Sequence, residues 1–208
     1  MGFHIHAQPT RSQELIKKIV SFEAYFQILI NVVKSSTEHV ILFEDESCIR
    51  DYQAIAATWF LKGQQKKIKT YGHHAGVGLF GVLDYLNGRV LCQPSVELNT
   101  QAFEHFIETQ VIPAYTDKHI FMILDNSKIH HAKALLEFKE KYKDRISFIF
   151  LPPYAPNINR IEGLWKWLKQ TVIYNKFLKN VSEIEDSVNK FLNHIKYEKD
   201  AIKLRLCF

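Results

Sequence analysis

The stretch FMILDNSKIHHAKALLEF, residues 121–138, changes character in its middle. Four apolar residues lead into Asp125 and Asn126, which predicts a buried strand that ends at an acid. From about His131 to Phe138 the apolar spacing becomes helical, so a helix is expected to follow. A carboxylate at the end of a buried strand faces a cleft and is backed by a rigid core. We therefore ask what this carboxylate does.

The segments before this stretch predict a long helix and several antiparallel strands. Apolar residues at three- and four-residue steps predict a helix from Ser12 to about Lys34. HVILFEDE, residues 39–46, is a continuous apolar run that ends in acids, as a buried strand would. Residues 56–74 predict two strands around a basic loop. Residues 76–98 predict a hairpin with Asn87-Gly88 as its two-residue turn.

The segments after it predict alternating helices and strands. A helix over 99–115 is expected to be capped by Asn99 or Thr100. The further predicted elements are strands at 120–125 and 145–151, a proline loop at 152–157, and helices at about 160–174 and 182–197. Antiparallel strands come first and parallel crossovers later. The order predicts an α/β domain with a mixed sheet flanked by helices.

Composition excludes several classes of protein. The chain has 208 residues, of which 47% are hydrophobic, so it can bury a sizeable core and is not a disordered tail. The net charge of +5 is compatible with a polyanionic partner. Three cysteines, far apart, argue against a disulfide framework and for a reducing compartment. The sequence predicts neither a signal peptide nor a membrane span.

Three acids from separate segments are candidates for one site. Asp45 and Asp125 end predicted strands, and Glu162 begins the helix after the proline loop. Carboxyl ends of parallel strands form sites in α/β sheets, and carboxylates suit hard divalent cations. Each acid also has a simpler reading. Asp125 can form a turn, Glu162 can complete a capping box with Asn159, and Asp45 can belong to a solvated acidic cluster.

Three blocks of the sequence resemble the DDE transposases of the mariner superfamily, in particular the bacterial insertion-sequence branch. They are FEDES at 43–47, LDNSKIHHAK at 124–133 and LPPYAPNINRIEGLWKWLK at 151–169. TWFLKGQ at 58–64 is similar to a further block of that family. Arg160 stands where the family usually has proline.

The resemblance implies a fold, a site and a reaction. The fold would be RNase H-like, with Asp45, Asp125 and Glu162 holding Mg²⁺ or Mn²⁺, two ions in all. The reaction would be cleavage of DNA at transposon ends and transfer of the freed 3′-hydroxyl to target DNA. The partners would be DNA and a second copy of the chain, and the location the bacterial cytoplasm, at the nucleoid.

The resemblance also divides the chain. We expect an N-terminal linker helix region at 1–37, an RNase H-like DDE catalytic domain at 38–175, and a C-terminal helical extension at 176–208 packed on it. Members of the family carry an N-terminal helix-turn-helix, and the sequence before Ser12 leaves no room for one. The expectation is a catalytic fragment, the second frame of a split element, or a decayed copy.

Glu46, Asn126 and His130 match the family blocks and are expected near the active site. On chemistry alone, His130 is equally a helix-capping or surface group. The pairs His73-His74 and His130-His131 lack the spacing of a zinc motif, so a zinc site is not predicted.

Several lysines are candidates for DNA contact. They are Lys62, Lys66, Lys67, Lys69, Lys166 and Lys169. A solvated basic loop is an equal reading of the first four. Trp165 shares a helical stripe with core residues, whereas Trp167 lies off it and is predicted to have a surface role. Two alternative functions stay open: an RNase H-like nuclease without strand transfer, and a catalytically idle relic that binds DNA.

Overall fold

The computed structural model describes residues 11–50, 67, 76–133, 135–153 and 158–207, except the side chains of 11–13 and 207. Three earlier predictions lie outside this range. They are the two strands within 56–74, the lysines Lys62, Lys66 and Lys69, and residues 154–157 of the proline loop.

The described elements follow one another as a helix, three strands and then alternating helices and strands. In chain order they are α1 (Arg11–Lys34), β1 (His39–Arg50), β2 (Gly76–Asp84), β3 (Val90–Ser95), α2 (Thr100–Phe106) with a π-helical turn (Ile107–Val111), α3 (Ile112–Ala114), β4 (His119–Leu124), a 3₁₀ turn (Lys128–His131), α4 (Leu135–Lys141), β5 (Ile146–Phe150), α5 (Glu162–Val172), α6 (Val181–Ile195), α7 (Lys199–Ile202) and a second π-helical turn (Lys203–Cys207). None of the described helices is long and apolar enough to cross a membrane.

The sheet is mixed, as predicted. Its five strands lie in the order β3-β2-β1-β4-β5. The pairs β1–β2 and β2–β3 are antiparallel, whereas β1–β4 and β4–β5 are parallel. The central strand β1 therefore joins the antiparallel half of the sheet to the parallel half.

Helices cover both faces of the sheet. Alternate residues of β1 point to opposite faces. Ile41 and Phe43 pack with residues of α1, α5 and α6, whereas Val40 and Leu42 pack with residues of α2 and α4. Because both faces are buried, β1 reads as a continuous apolar run up to its acids. Each such large apolar side chain contributes about 1.5–3 kcal/mol by leaving water.

The predicted two-residue turn at Asn87-Gly88 is wrong. The backbone of Asp84 donates to the carbonyl of Arg89 at 2.8 Å, so the loop spans residues 85–88. A two-residue type I′ turn needs positive φ at both central residues, and among the described residues only Gly88 and Asn175 have it. Instead the Asp84 carboxylate accepts from the backbone and the side chain of Asn87. Gly88, with φ of 65°, then returns the chain to β3.

One helix prediction is confirmed and another changes in detail. Asn99 is the cap of α2, since its side chain accepts from Ala102 N at 2.9 Å. The helix expected to begin at about His131 starts later. His130 and His131 lie in the 3₁₀ turn, and Ala132 is extended with ψ of 142°. The α-helix begins only at Leu135, so the histidines stand between the strand and the helix.

Candidate functional site

The pairing of β1 with β4 brings Asp45 and Asp125 to one edge of the sheet. The parallel register ends with Phe43 beside Ile123. Each acid follows two residues later on its own segment, so the two acids come close together where this pairing ends. The prediction that Asp45 ends its strand is wrong, because β1 continues to Arg50 and Asp45 pairs with Gly81 of β2. The nearby charge of Asp125 raises the pKa of Asp45, second only to burial. Asp125 also makes the predicted turn, because its Oδ1 accepts from Ser127 N at 2.8 Å.

Glu162 enters the site as the first residue of α5. Its charge also raises the pKa of Asp45, and that of Asp125 raises the pKa of Glu162, after burial. The capping-box reading of Glu162 is wrong, because its backbone N donates to the carbonyl of Asn159 and not to the side chain. Next to it, Gly163 leaves room for Leu206 of the C-terminal turn. A Cβ at this glycine would lie 2.7 Å from Leu206 Cδ2.

Two hydrogen bonds, one of them from Trp165, fix the carboxylate of Asp45. Trp165 Nε1 donates to Asp45 Oδ2 at 3.1 Å, and the backbone N of Glu46 donates to Oδ1 at 2.9 Å. The indole fits because Gly81, the cross-strand partner of Asp45, has no side chain. A Cβ at Gly81 would lie 2.5 Å from Trp165 Cη2. The prediction that Trp165 belongs to the core is confirmed, since it is 5% exposed.

Trp167 does not stand on an open surface. Its ring packs edge-on against Phe191 of α6 at 5.2 Å between centroids, and the Arg205 guanidinium lies 4.6 Å from it. The residue is half-buried and joins α5 to the C-terminal helices. The predicted surface role is therefore replaced by packing between helices.

A cavity of about 360 Å³ opens beside the acids. Its lining includes Asp45, Glu46, Glu162, Trp165, Lys166 and Lys169. Carboxylates stand against two lysines on one helix. Such a lining suits a phosphate group bound together with a metal ion, because carboxylates bind the metal and lysines bind the phosphate.

The electrostatics of the acids reflect burial and mutual repulsion. Burial, then the charge of Asp125, raises the pKa of Asp45 to about 7. Burial, then the charge of Asp45, raises the pKa of Glu46 to about 8. The reading of Asp45 as part of a solvated cluster is wrong, because Glu44 is fully buried and the Glu46 side chain is 13% exposed. Positive charge placed among these acids would therefore be strongly attracted.

His130 is buried and not on the surface. Its Nε2 lies 3.1 Å from Glu46 Oε1 and 3.4 Å from Glu44 Oε2. The ring stacks on Phe103 with centroids 5.0 Å apart. Burial lowers the pKa of His130 to about 4. The capping and surface readings of His130 are thus wrong.

Glu44 is the residue that sequence reasoning passed over. Strand alternation places Glu44 on the face of Val40 and Leu42, which are both buried, and this alternation was the signal that could have found it.

The remaining candidates take different positions. Asn126 is exposed, and its Nδ2 donates to the carbonyl of Leu151 at 2.6 Å, which ties the end of β4 to the end of β5. Lys166 is exposed and Lys169 half-buried at the cavity. Lys67 is exposed.

Comparison with known proteins agrees with this arrangement. The family model described as DDE superfamily endonuclease matches residues 40–185. The chain belongs to this family. The resemblance predicted from the three sequence blocks is therefore confirmed. The matched residues include Asp45, Asp125 and Glu162.

Two curated proteins are similar in sequence to parts of this chain. One is the insertion element IS630 uncharacterized 39 kDa protein of Shigella sonnei, 30% identical over 161 residues, which are 77% of this chain and 46% of that protein. The other is the uncharacterized protein y4pE/y4sA of Sinorhizobium fredii, strain NGR234, 30% identical over 66 residues, which are 32% of this chain and 45% of that protein. The chain thus spans about half the length of the insertion-element relative.

Solved structures show the same fold. The catalytic domain of Mos1 mariner transposase superposes with a TM-score of 0.52 at 11% identity, covering 97% of each chain. The Mos1 strand transfer complex superposes with a TM-score of 0.64 at 12% identity, covering 99% of this chain and 61% of that one. The predicted RNase H-like fold is confirmed by this likeness.

We predict that Gly81→Ala destabilises the protein. The added methyl group meets the Trp165 ring, so the indole must move and its hydrogen bond to Asp45 is lost. The expected loss in the free energy of unfolding is about 1–3 kcal/mol, measured by urea denaturation. Gly76→Ala is the control, because its Cβ would lie no closer than 3.1 Å to Arg50 Cγ and 3.3 Å to the Ile49 carbonyl, so its neighbours need to shift much less than the Trp165 ring. Equal stability of the Gly81 variant and wild type would contradict the role of the glycine.

We predict that metal-free stability carries a contribution that falls as pH rises toward 8. The folded pKa of Asp45 is about 7 and that of Glu46 about 8, whereas both acids ionise near pH 4 when unfolded. The folded state therefore binds more protons in this window, and raising the pH favours unfolding. Asp45→Asn should flatten the decline, measured by urea denaturation in EDTA from pH 5 to 8.

The matched control for this series is Glu185→Gln, an exposed acid on α6. His130 acts in the opposite sense, because its lowered pKa makes stability rise with pH up to about 7. Each variant is therefore compared with wild type at every pH, which cancels the contribution of His130. A difference between wild type and Asp45→Asn that does not change with pH would exclude the raised pKa.

Proposed function

We propose that this chain is the catalytic domain of a DDE transposase, which cleaves DNA at transposon ends with a divalent metal and transfers the 3′-hydroxyl into target DNA. The observation that supports this most is the convergence of Asp45, Asp125 and Glu162, whose charges act on one another just beyond the residues that pair β1 with β4. Family membership supports it independently.

The acids fit the metal that this function requires. Carboxylates brought together at raised pKa are destabilised by one another, and a dication would relieve that repulsion. An all-oxygen donor set suits Mg²⁺ or Mn²⁺. We assign Asp45, Asp125 and Glu162 as the residues that would hold it, with two ions proposed. When bound, the ions would stabilise charge on the attacking and leaving oxygens at phosphorus.

The chain itself supplies rigid positions. The hydrogen bonds from Trp165 and from Glu46 N occupy one site on each oxygen of Asp45 and fix its orientation. Asp125 is fixed by β4 and by its turn to Ser127. Glu162 begins a helix whose buried stripe packs against the sheet. Positioning of this kind is most of what a protein contributes to phosphoryl transfer.

The lysines of α5 are proposed to hold DNA. Lys166 follows Glu162 by one helical turn, and both line the cavity with Lys169. Their charges would bind phosphates without regard to sequence. Recognition of transposon ends would come from a helix-turn-helix segment in the same or another polypeptide. The active complex would be a homodimer on DNA in the bacterial cytoplasm.

The proposed division of the chain follows from the same function. Residues 38–175 would form the catalytic domain, with 1–37 as the linker helix region and 176–208 as the extension. The shared core of α5 and α6 supports packing of the extension on the domain.

We predict that Asp125→Asn abolishes Mn²⁺-dependent cleavage of a duplex carrying the element's terminal repeats. Loss of one carboxylate weakens the metal and misplaces it. The variant should also lose most of the rise in melting temperature that Mn²⁺ produces in wild type, because only the folded state binds the ion.

Asp117→Asn, which changes an exposed acid before β4, is the control and should behave as wild type. Cleavage by Asp125→Asn at the wild-type rate would refute the assignment. Cleavage by wild type without joining to target DNA would indicate a nuclease.

We predict that the double variant Lys166→Gln, Lys169→Gln binds duplex DNA more weakly whatever its sequence. Removal of two phosphate contacts should make the slope of log K against log salt concentration shallower by about 1.8. Fluorescence anisotropy at several salt concentrations measures it. Lys179→Gln with Lys190→Gln, exposed lysines at and near α6, is the charge-matched control. An equal loss in both double variants would mean that only net charge matters.

A further inference from the structure

The side of β1 opposite Asp45 carries a second group of metal-ligating side chains. Glu44 and Glu46 alternate with Asp45 along the strand and share the other face. His130 reaches them from the 3₁₀ turn after β4. One ligand atom from each of the three side chains lies within 4.8 Å of the other two.

Burial makes this group unusual. Glu44 and His130 are fully buried, and neither carboxylate oxygen of Glu44 has a hydrogen-bond donor among the described residues. A buried carboxyl without donors is strongly unfavourable unless it is neutral or meets a cation. The His130 ring is stacked on Phe103, and its Nε2 lies 3.4 Å from Glu44 Oε2. Glu44 therefore stands beside the histidine without a hydrogen-bond donor for either of its oxygens among the described residues.

The two distances from the histidine match those between ligands of one ion. Metal bonds of about 2.1 Å place neighbouring ligand atoms about 3.0 Å apart in an octahedron and about 3.4 Å apart in a tetrahedron. His130 Nε2 lies 3.1 Å from Glu46 Oε1 and 3.4 Å from Glu44 Oε2. Glu46 also lines the open cavity, which offers an ion a way in.

We propose that Glu44, Glu46 and His130 form a second metal site, which binds a divalent transition metal such as Zn²⁺. An imidazole with two carboxylates favours such a metal over Mg²⁺, which prefers oxygen alone. A bound ion connects the middle of β1 to the 3₁₀ turn after β4. The same segments carry Asp45 and Asp125, so the ion stabilises the positions of these two acids from the opposite face of β1. It does not contact DNA. The site does not depend on the function proposed above.

The experiment measures Zn²⁺ bound to the purified chain in excess Mg²⁺, by titration calorimetry and by metal content after gel filtration. Wild type and Asp125→Asn should each bind one Zn²⁺. Glu44→Gln and His130→Gln should weaken that binding at least about a hundredfold. His131→Gln, the neighbouring exposed histidine, should bind as wild type. Glu44→Gln removes no histidine, so its effect separates the cluster from zinc bound by histidines elsewhere.

Further measurements keep the proposal testable if a variant folds poorly. Glu44→Gln preserves shape and removes an unpartnered acid, so its metal-free melting temperature should equal or exceed that of wild type. X-ray absorption at the zinc edge of wild type should show one imidazole and otherwise oxygen ligands. Zinc binding that survives Glu44→Gln, loss of all zinc in Asp125→Asn, an absorption spectrum without imidazole, or no zinc in wild type would each overturn the proposal.

Discussion

The parallel pairing of β1 with β4 is the constraint on which the site depends. These strands are adjacent only because the chain, after making the antiparallel β2–β3 hairpin, returns through α2 to the other side of β1. The register from His39 beside His119 to Phe43 beside Ile123 then places Asp45 and Asp125 close together, just beyond the paired residues. A shift of one residue would turn one acid to the opposite face. The continuous apolar runs on both strands hold the register, because residues 40–43 and 120–124 pack in the core on one face or the other.

The cluster of acids is locally destabilising, and the rest of the fold compensates for this cost. Asp45, Glu46 and Glu162 all have raised pKa values because burial and neighbouring charge oppose ionisation. The site thus reduces the stability of the metal-free protein. Two buried cores, one on each face of the sheet, compensate for it. Trading stability for a prepared ligand set is expected at functional sites.

Much of this arrangement could be predicted from the sequence, for physical reasons that differ between elements. Long apolar runs identified β1 and β4, and family blocks identified Glu162, but the continuation of β1 past Asp45 to Arg50 was not predicted. Two features escaped prediction because they depend on contacts distant in sequence. The hairpin loop follows from Asp84, whose carboxylate binds Asn87 and Tyr115 and excludes the shorter turn. The grouping of Glu44 with His130 follows from the sheet register, which linear zinc motifs do not describe. Candidate roles for lysines in 62–69 lie mostly outside the described residues.

The contact of Leu206 with Gly163 places the C-terminal turn beside the site. A groove of about 390 Å³ lies between the C-terminal turn and the start of α5, lined by Arg205 and Leu206 on one side and by Glu162 and Gly163 on the other. Glu162 therefore stands between two openings, and the terminal turn forms a wall of the second. Shortening the chain at its end, as is often done to improve expression or crystals, would remove that wall and leave the start of α5 hydrated on both sides.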